Sequence, residues 1–314
     1  MVKLSPLCHK PRAHDAEVWA CAFAGENDAS LVTGSLDESV KTWTGEGSSL
    51  ENLTSEHTYT GHTLGVVSMD VSTSGLVAAS ALDGVVRVWD LASSETKLVL
   101  ESGPGESWGV KFDPIEGSSL IAIAGGTSQS VHLYDVNDGS KKKSFELPAT
   151  TEEKPKNSRF VQSIAYSPDG KRIACGAMDG TVAIFDVKTG KCVHTLDGHV
   201  SPVRDLTFSP DGKTLYTASD DGYVHVYDAH NKSLMESLAG HKSWVLSVTA
   251  SPDGKSLVTG SSDSTIKLWD LSSRSCAQTM TDHSDAVWCV RFSSDGSKLA
   301  AVSSDASVSI FNCV

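Results

Sequence analysis

A stretch of 31 residues recurs along the chain and constrains what it can fold into. The copy at residues 240–270 reads GHKSWVLSVTASPDGKSLVTGSSDSTIKLWD, and residues 198–228 align with it without a gap. An aromatic residue closes each of seven copies: Trp43, Trp89, Tyr134, Phe185, Tyr227, Trp269 and Phe311. The last three spacings are 42 residues each, and the earlier ones are 46, 45 and 51. A period of this length indicates stacked repeats that fill nearly the whole chain.

Each copy has the pattern of a small antiparallel sheet. In residues 245–270, short runs rich in Val, Leu, Ile and Thr are separated by Ser-Pro-Asp-Gly and Ser-Ser-Asp. Pro252 presets φ, Asp253 can bond its own backbone, and Gly254 tolerates positive φ, so these separators are turns. One such sheet cannot bury both of its faces, so neighbouring sheets must stack around an axis.

Copies that open with Gly-His and close with Trp-Asp resemble the WD40 repeat. The chain is therefore predicted to be all-β: one seven-bladed WD40 β-propeller spanning residues 1–314. Residues 3–10 lie before the first copy, and the last copy lacks its outer strand. We expect this N-terminal strand to join the last blade and close the ring, which removes an open edge. Residues 148–159 exceed the repeat length and are predicted to form a flexible surface loop.

Polar residues recur with the same period. An Asp stands six residues before the closing aromatic residue at Asp37, Asp83, Asp179, Asp221, Asp263 and Asp305. A His stands 21–23 residues before that Asp at His14, His62, His199, His241 and His283. We expect each His to link its Asp to a strand hydroxyl, Thr259 or Ser261 in the sixth copy, and to the indole of Trp43, Trp89 or Trp269. Because the set occurs once per copy, it favours a structural network over a hydrolase triad.

Composition limits the function classes. The formal net charge is −13, with 26 Lys and Arg against 39 Asp and Glu, which argues against a broad nucleic-acid surface and against anionic membranes. Seven scattered cysteines without a Cys-x-x-Cys pair suggest free thiols. No stretch resembles a signal peptide or a membrane span. We expect a soluble protein of the cytosol or nucleus that does not bind nucleic acid directly.

The candidate binding residues come from aligning the copies on the residue that ends the innermost strand, such as Phe23 or Phe292. Four residues earlier stand Trp19, Val67, Trp108, Gln162, Arg204, Leu246 and Trp288. Six residues earlier stand Glu17, Gly65, Glu106, Phe160, Pro202, Trp244 and Ala286. Both columns are predicted to surround one mouth of the channel. The four tryptophans that do not close a blade all lie in them, and Trp and Arg dominate binding hot spots.

We therefore predict that partner proteins bind to Trp19, Trp108, Phe160, Arg204, Trp244 and Trp288. The alternative, that these aromatic residues only fill space between blades, stays open at this point. Nucleophile, nucleotide-binding and zinc-protease motifs are missing from the sequence, and the His residues are dispersed by the repeat. No enzyme activity, metal or cofactor is expected.

Particular phrases carry a closer resemblance that covers essentially the whole chain. TGSLDESVKTW at 33–43, FVQSIAYSPDGKRIACGAMDGTVAIFD at 160–186, TASDDGYVHVYD at 217–228 and GHKSWVLSV at 240–248 resemble the WD-repeat subunit of the superkiller complex. The AGGTSQSV phrase and the KP-containing loop are similar to the plant, vernalization-independence type of that family. The Trp-Asp-x-Arg feature of cullin-ligase substrate receptors is absent, because Trp89 and Trp269 are followed by Asp-Leu-Ala and Asp-Leu-Ser.

The resemblance implies a non-enzymatic scaffold, a monomer within hetero-complexes, in two places. In the cytoplasmic superkiller complex it would help bring a helicase and a TPR protein to the exosome for 3′–5′ mRNA decay. In the nucleus it would belong to the RNA polymerase II associated factor complex, linked to elongation and histone methylation. The alternative is a histone-tail reader or a substrate-recruiting adaptor that uses the same face. The family's peptide recognition implies that Trp19, Trp108, Phe160, Trp244 and Trp288 form that face.

Overall fold

The computed structural model describes residues 2–45, 50–101, 107–125, 129–149 and 159–314. They form seven antiparallel four-stranded sheets, the blades of a β-propeller. The predicted fold class is confirmed. Most of the loop predicted at 148–159 lies outside the described residues, as does Glu106 of the second alignment column.

Each of blades one to six takes four consecutive strands, numbered from the channel outward. Blade one consists of β2 (Val18–Ala24), β3 (Ser30–Ser35), β4 (Val40–Thr44) and β5 (Thr54–Tyr59). Blade two consists of β6 (Val66–Val71), β7 (Leu76–Ala81), β8 (Val85–Asp90) and β9 (Thr96–Glu101). Blade three consists of β10 (Gly109–Phe112), β11 (Leu120–Gly125), β12 (Ser130–Asp135) and β13 (Lys141–Glu146). A single 3-10 turn, Glu26–Asp28, links β2 to β3.

The remaining blades continue this order. Blade four consists of β14 (Val161–Tyr166), β15 (Arg172–Ala177), β16 (Val182–Asp186) and β17 (Cys192–Leu196). Blade five consists of β18 (Val203–Phe208), β19 (Thr214–Ser219), β20 (Tyr223–Asp228) and β21 (Leu234–Ala239). Blade six consists of β22 (Val245–Ala250), β23 (Ser256–Ser261), β24 (Ile266–Asp270) and β25 (Ser275–Met280). Blade seven combines β26 (Val287–Phe292), β27 (Lys298–Ser303) and β28 (Val308–Cys313) with β1 (Leu4–Lys10).

The N-terminal strand closes the ring, as the sequence predicts. Strand β1 runs antiparallel to β28, with Leu4 opposite Cys313 and Lys10 opposite Val308. Leu4 is buried, and the side-chain amide of Gln278 in blade six makes both backbone hydrogen bonds to it, accepting from its N–H at 3.0 Å and donating to its carbonyl at 2.8 Å. The edge of blade seven is therefore paired, and the first strand is also attached to the neighbouring blade.

The hydrophobic core lies between adjacent blades, and each cluster draws on two of them. Val224 and Leu238 of blade five, for example, pack with Val245, Leu257 and Trp269 of blade six. The strands carry apolar residues on both faces of each sheet. Each blade therefore buries these faces by packing against its two neighbours.

Candidate functional site

The residues at the channel mouth are directed there by a repeated β-bulge. In six blades the innermost strand shifts register against its neighbour, and the unpaired residues are Trp19, Val67, Gln162, Arg204, Leu246 and Trp288. In blade three the N–H of Trp108 bonds the carbonyl of Ala124 just before β10 begins. A bulge inserts one extra residue and turns its side chain away from the regular pleat. Six of the seven residues of the first alignment column are thus bulge residues.

These seven residues line one cavity at the centre of the ring. It is open to solvent and is lined by Trp19, Val67, Trp108, Gln162, Arg204, Leu246 and Trp288 together with Lys111, Asp205 and Arg291 deeper in the channel. The described residues of the second column precede the innermost strands at this mouth. There, backbone carbonyls accept hydrogen bonds from the N–H groups of the next turn, as Glu17 does from Leu36 and Trp244 from Ser262.

Two of the tryptophans meet where the ring closes. The indoles of Trp19 and Trp288 stack with centroids 3.9 Å apart and planes 19° apart. Trp19 Nε1 donates to Glu17 Oε2 at 2.9 Å, and Trp288 Nε1 donates to Ser304 Oγ at 2.7 Å. Ser304 Oγ in turn donates to the same Glu17 oxygen at 2.9 Å. The two rings are thereby held in fixed orientations on one side of the mouth.

A second aromatic pair stands at blades three and four. Phe160 meets Trp108 edge to face, with centroids 5.7 Å apart and planes at 88°. Both side chains are half-buried. Aromatic pairs of this geometry add to the stability gained from burial and give a rigid apolar surface. The mouth therefore carries two separate aromatic platforms.

Arg204 and Trp244 form a third contact. Asp220 binds the Arg204 guanidinium through Nε at 2.8 Å and Nη2 at 2.6 Å. Trp244 does not line the cavity; it stands on the rim, half exposed, with the Arg204 guanidinium carbon 5.8 Å from its ring centroid. The bidentate pair fixes Arg204, and Trp244 is left available to a partner.

Below the mouth lies a polar belt that the sequence analysis missed. Asp205 Oδ2 accepts hydrogen bonds from Arg291 Nη1 at 2.9 Å, from Ser247 Oγ at 2.9 Å and from the N–H of Val248 at 3.1 Å. Three blades are joined by this one carboxylate. Asp70 and Lys111 form a second pair, 2.7 Å apart. In the same alignment, Asp70, Lys111 and Arg291 stand one residue before the end of the innermost strand, and Asp205 and Ser247 stand three residues before it.

The His and Asp residues of the repeat contact each other within their blades. In blade six, His241 Nδ1 lies 3.0 Å from Asp263, and its Nε2 lies 2.7 Å from Thr259 Oγ1, to which Trp269 Nε1 also donates at 2.9 Å. Blade one has the same connections in His14, Asp37, Thr33 and Trp43. Ser261, the other candidate hydroxyl, instead accepts from the N–H of Asp263. Every polar group of such a set has a partner within the blade.

The other copies depart from this pattern. Blade five retains His199, Asp221 and Thr217, but its closing Tyr227 donates to the Asp197 carbonyl. In blades two and seven, the strand position of the Thr holds Ala79 and Ala301. His62 pairs with Asp83 and His283 with Asp305, yet Nε2 of each His is buried without a hydrogen-bond partner.

Blade four replaces the His with a different cation. Arg159 Nε lies 3.4 Å from Asp179, and both side chains are almost fully buried. Arg159 Nη1 also donates to the carbonyl of Pro148 at 2.7 Å. An Arg thus pairs with the turn Asp where the Gly-His of other copies is missing.

One group of residues has the spacing of metal ligands. Atoms of His199, Asp221 and His225 lie within 4.8 Å of one another. Both nitrogens of His199 are already in hydrogen-bonding contact with Asp221 and Thr217, and His225 Nδ1 contacts Ser237 at 3.1 Å. The two imidazoles stack in parallel, 3.9 Å apart, so their ring-plane lone pairs do not converge. This donor set is a hydrogen-bonded network, and we assign no metal to it.

Comparison with known proteins decides the family. The model for "WD domain, G-beta repeat" matches residues 5–44, 53–90, 190–228, 232–270 and 274–312. The chain belongs to the WD40-repeat family. A second model, the WD40 domain of anaphase-promoting complex subunit 4, matches residues 116–202. WD40 propellers are scaffolds for protein interactions.

Two relatives show where this WD40 chain lies within the family. WD repeat-containing protein VIP3 of Arabidopsis thaliana is 44% identical over 213 residues, which are 65% of this chain and 64% of VIP3. WD repeat-containing protein SL1-17 of Schistosoma mansoni is 35% identical over 206 residues, 64% of this chain and 63% of that protein. The chain thus aligns with slightly less than two thirds of each relative. The similarity to VIP3 agrees with the plant type that the sequence phrases resemble.

The described residues also bear on membrane association. None of their helices is long and apolar enough to cross a membrane.

Proposed function

We propose that this protein is a non-enzymatic scaffold that holds segments of larger subunits against its channel mouth. The observation that carries the proposal is the mouth itself. Bulges in the innermost strands turn Trp19 and Trp288 into one cavity, which Trp108 also lines, and Trp244 stands exposed on its rim. Large aromatic side chains held in fixed orientations are what binding hot spots require, since little entropy is lost when a partner docks.

We further propose that the partners are subunits of the superkiller and RNA polymerase II associated factor complexes. The support is the resemblance of residues 33–43, 160–186, 217–228 and 240–248 to the superkiller WD-repeat subunit, together with the similarity to VIP3. On this proposal the protein works in both nucleus and cytoplasm, as one copy within each complex. Its partners are a helicase and a TPR protein in one place and polymerase-associated factors in the other.

The stacked tryptophans favour this scaffold over a reader of methylated histone tails. A methyl-lysine cage needs aromatic faces that converge on one cation. Trp19 and Trp288 turn one face of each ring toward the other, 3.9 Å apart, so those faces cannot surround a ligand. Titration with methylated and unmodified histone-tail peptides tests this directly. Binding that is selective for the methylated peptide would favour the reader.

The scaffold is tested by affinity purification of the tagged protein from native extract. The wild type is compared with a variant in which Trp19, Trp108, Arg204 and Trp288 are all Ala, shown to be folded by its melting curve. A matched control carries Leu234→Ala and Met235→Ala on the outer strand of blade five, where both side chains are exposed but far from the mouth.

Three outcomes separate the levels of the proposal. Helicase, TPR and polymerase-associated subunits that bind the wild type and the control but not the mouth variant support the scaffold and its site. Subunits that bind all three proteins equally exclude the mouth as the site. If none of these subunits is recovered with the wild type, the proposed complexes are wrong.

A further inference from the structure

The seam between blades seven and one contains two thiols. In three other seams, a polar side chain three residues before the end of the innermost strand accepts an N–H from the next blade. Ser68 accepts from Val110 at 3.2 Å, and Ser247 accepts from Val290 at 3.1 Å. At the last seam this position is Cys289, and it faces a second thiol, Cys21. We propose that Cys21 and Cys289 are a redox-sensitive pair that peroxides oxidise to a disulfide across the ring's closure.

The two thiols are neighbours in the apolar core between blades one and seven. Cys289 Sγ lies 3.8 Å from the carbonyl oxygen of Cys21, and both residues belong to the core cluster shared by blades one and seven. In the other six blades the position of Cys21 holds an apolar residue: Met69, Val110, Ile164, Leu206, Val248 or Val290. An apolar side chain would therefore pack equally well at position 21, where this chain has a thiol.

The nearby cation Arg291 and an opening to solvent make Cys289 the more reactive of the two thiols. Residues two apart on a strand face the same side, which places Arg291 beside Cys289. Both line the cavity at the channel mouth, through which a small oxidant can enter. The hydrogen bond with the Cys21 thiol lowers the pKa of Cys289, and the charge of Arg291 lowers it further, although burial opposes both. A thiolate is the nucleophilic form of cysteine.

Cys175 shows what an ordinary buried thiol of this chain is like. It lies in the core of blade four, where burial raises its pKa to about 12. Such a thiol stays protonated and inert at neutral pH. Cys276, by contrast, is exposed on an outer strand. These two cysteines are internal controls for burial and for access.

The reaction needs a peroxide as the oxidant. The Cys289 thiolate attacks one peroxide oxygen, an S–O bond forms, the O–O bond breaks, and the departing hydroxide takes a proton to become water. The Cys21 sulfur then attacks Cys289, an S–S bond forms, the S–O bond breaks, and the hydroxide leaves with the Cys21 proton as a second water. Two thiols are oxidised and one peroxide is reduced.

The product would link residues 21 and 289, the first and last blades, covalently. A cross-link that closes so long a loop restricts the unfolded chain more than the folded one. We expect the melting temperature to rise by roughly 3–6 °C after oxidation and to return when dithiothreitol is added.

The experiment treats the full-length protein with hydrogen peroxide, alkylates the remaining thiols under denaturing conditions, and maps disulfides by mass spectrometry without reduction. The expected result is a Cys21–Cys289 peptide pair that forms while Cys175 stays alkylatable. Arg291→Gln should slow its formation roughly tenfold, whereas Arg291→Lys should restore most of the rate. Melting curves of both variants confirm that they are folded.

Two results would overturn the proposal. One is a wild-type protein in which Cys21 and Cys289 stay alkylatable at peroxide concentrations that oxidise Cys276. The other is a disulfide that joins either residue to Cys8, which packs against the same cluster. Cys21→Ala and Cys289→Ser variants, each lacking one thiol, must show neither the peptide pair nor the rise in melting temperature.

Discussion

The indole of Trp19 in the first blade lies 3.9 Å from that of Trp288 in the last, and both are anchored through Glu17 and Ser304. The mouth is thus stiffest where the ring closes. Trp244 differs, because it stands half exposed on the rim and contacts Arg204 through its ring face. The aromatic residues of this surface therefore differ in how far they also support the fold, Trp19 and Trp288 more and Trp244 less.

This difference predicts different outcomes for two substitutions. Trp288→Ala removes a half-buried ring, its stack and its hydrogen bond, so we expect the free energy of unfolding to fall by about 2 kcal/mol. Trp244→Ala should change it by less than about 0.5 kcal/mol and yet weaken capture of the partner subunits. Urea unfolding and the pull-down described above measure the two effects. A strongly destabilised Trp244→Ala protein would contradict this assignment.

The Thr of the repeat network should matter more than its size suggests. Thr259→Ala leaves His241 Nε2 and Trp269 Nε1 without their shared partner in a buried site, and we expect a loss of about 2–3 kcal/mol. Thr279 lies on the exposed outer strand of blade six, where its hydroxyl accepts a hydrogen bond from Lys267 Nζ. Thr279→Ala is therefore the matched control. Denaturant unfolding at neutral pH compares the two variants. Equal losses would mean that the network does not stabilise blade six.

Stability should fall as the solution is acidified below pH 6.5. Burial lowers the pKa of His62 and of His241, so the unfolded chain binds protons that the folded chain does not. The free energy of unfolding therefore begins to fall as the pH drops below 6.5, the ordinary value for His. A second decrease follows at lower pH. Burial raises the pKa of Asp263, but hydrogen bonds from Thr265 and the Lys242 N–H outweigh it and set the value at about 2.

The second decrease belongs to the interval between pH 4 and pH 2, because a carboxylate with a depressed pKa stabilises only above it. Urea unfolding at half-unit steps from pH 7.5 to pH 2 measures both decreases. In a variant with His62→Gln and His241→Gln, the slope between pH 6.5 and pH 5 should be shallower than in the wild type. A wild-type curve that is flat across that interval would refute the role given to the histidines.

Removal of the N-terminal strand should weaken the ring. Deletion of residues 1–10 exposes the edge of β28 and removes buried Leu4 with its two hydrogen bonds to Gln278. We expect a clearly lower melting temperature and a greater tendency to aggregate through the open edge. Scanning calorimetry with light scattering measures both. A variant that melts at the full-length temperature would show that closure by β1 adds no stability.

How much of this could be predicted depends on how local each feature is. The closing aromatic residues and the Asp and His positions are fixed by the repeat, so the period alone gives the blades and the closure by β1. The mouth was predictable as an alignment column because the bulge at Trp19 or Arg204 recurs at the same place in six of the seven copies.

Pairings of individual side chains, within one copy or between copies, were not predictable in this way. Asp220 binds Arg204, and Arg291 reaches Asp205 across blade six, because side chains of particular length happen to meet in space. The unpartnered Nε2 of His62 follows from a single Ala at position 79, a loss that the repeat pattern does not reveal. Such contacts depend on three-dimensional placement, which the period leaves free.

The carboxylate of Asp205 offers the sharpest energetic test. Asp205→Ala leaves the partly buried Arg291 guanidinium without its counter-ion, and we expect the free energy of unfolding to fall by about 2–3 kcal/mol. The double variant Asp205→Leu with Arg291→Met removes both charges and should recover most of that loss, because neither charge then remains desolvated. Urea unfolding compares the wild type, Asp205→Ala and the double variant. If the double variant is less stable than Asp205→Ala, the pair contributes net stability beyond offsetting its own desolvation.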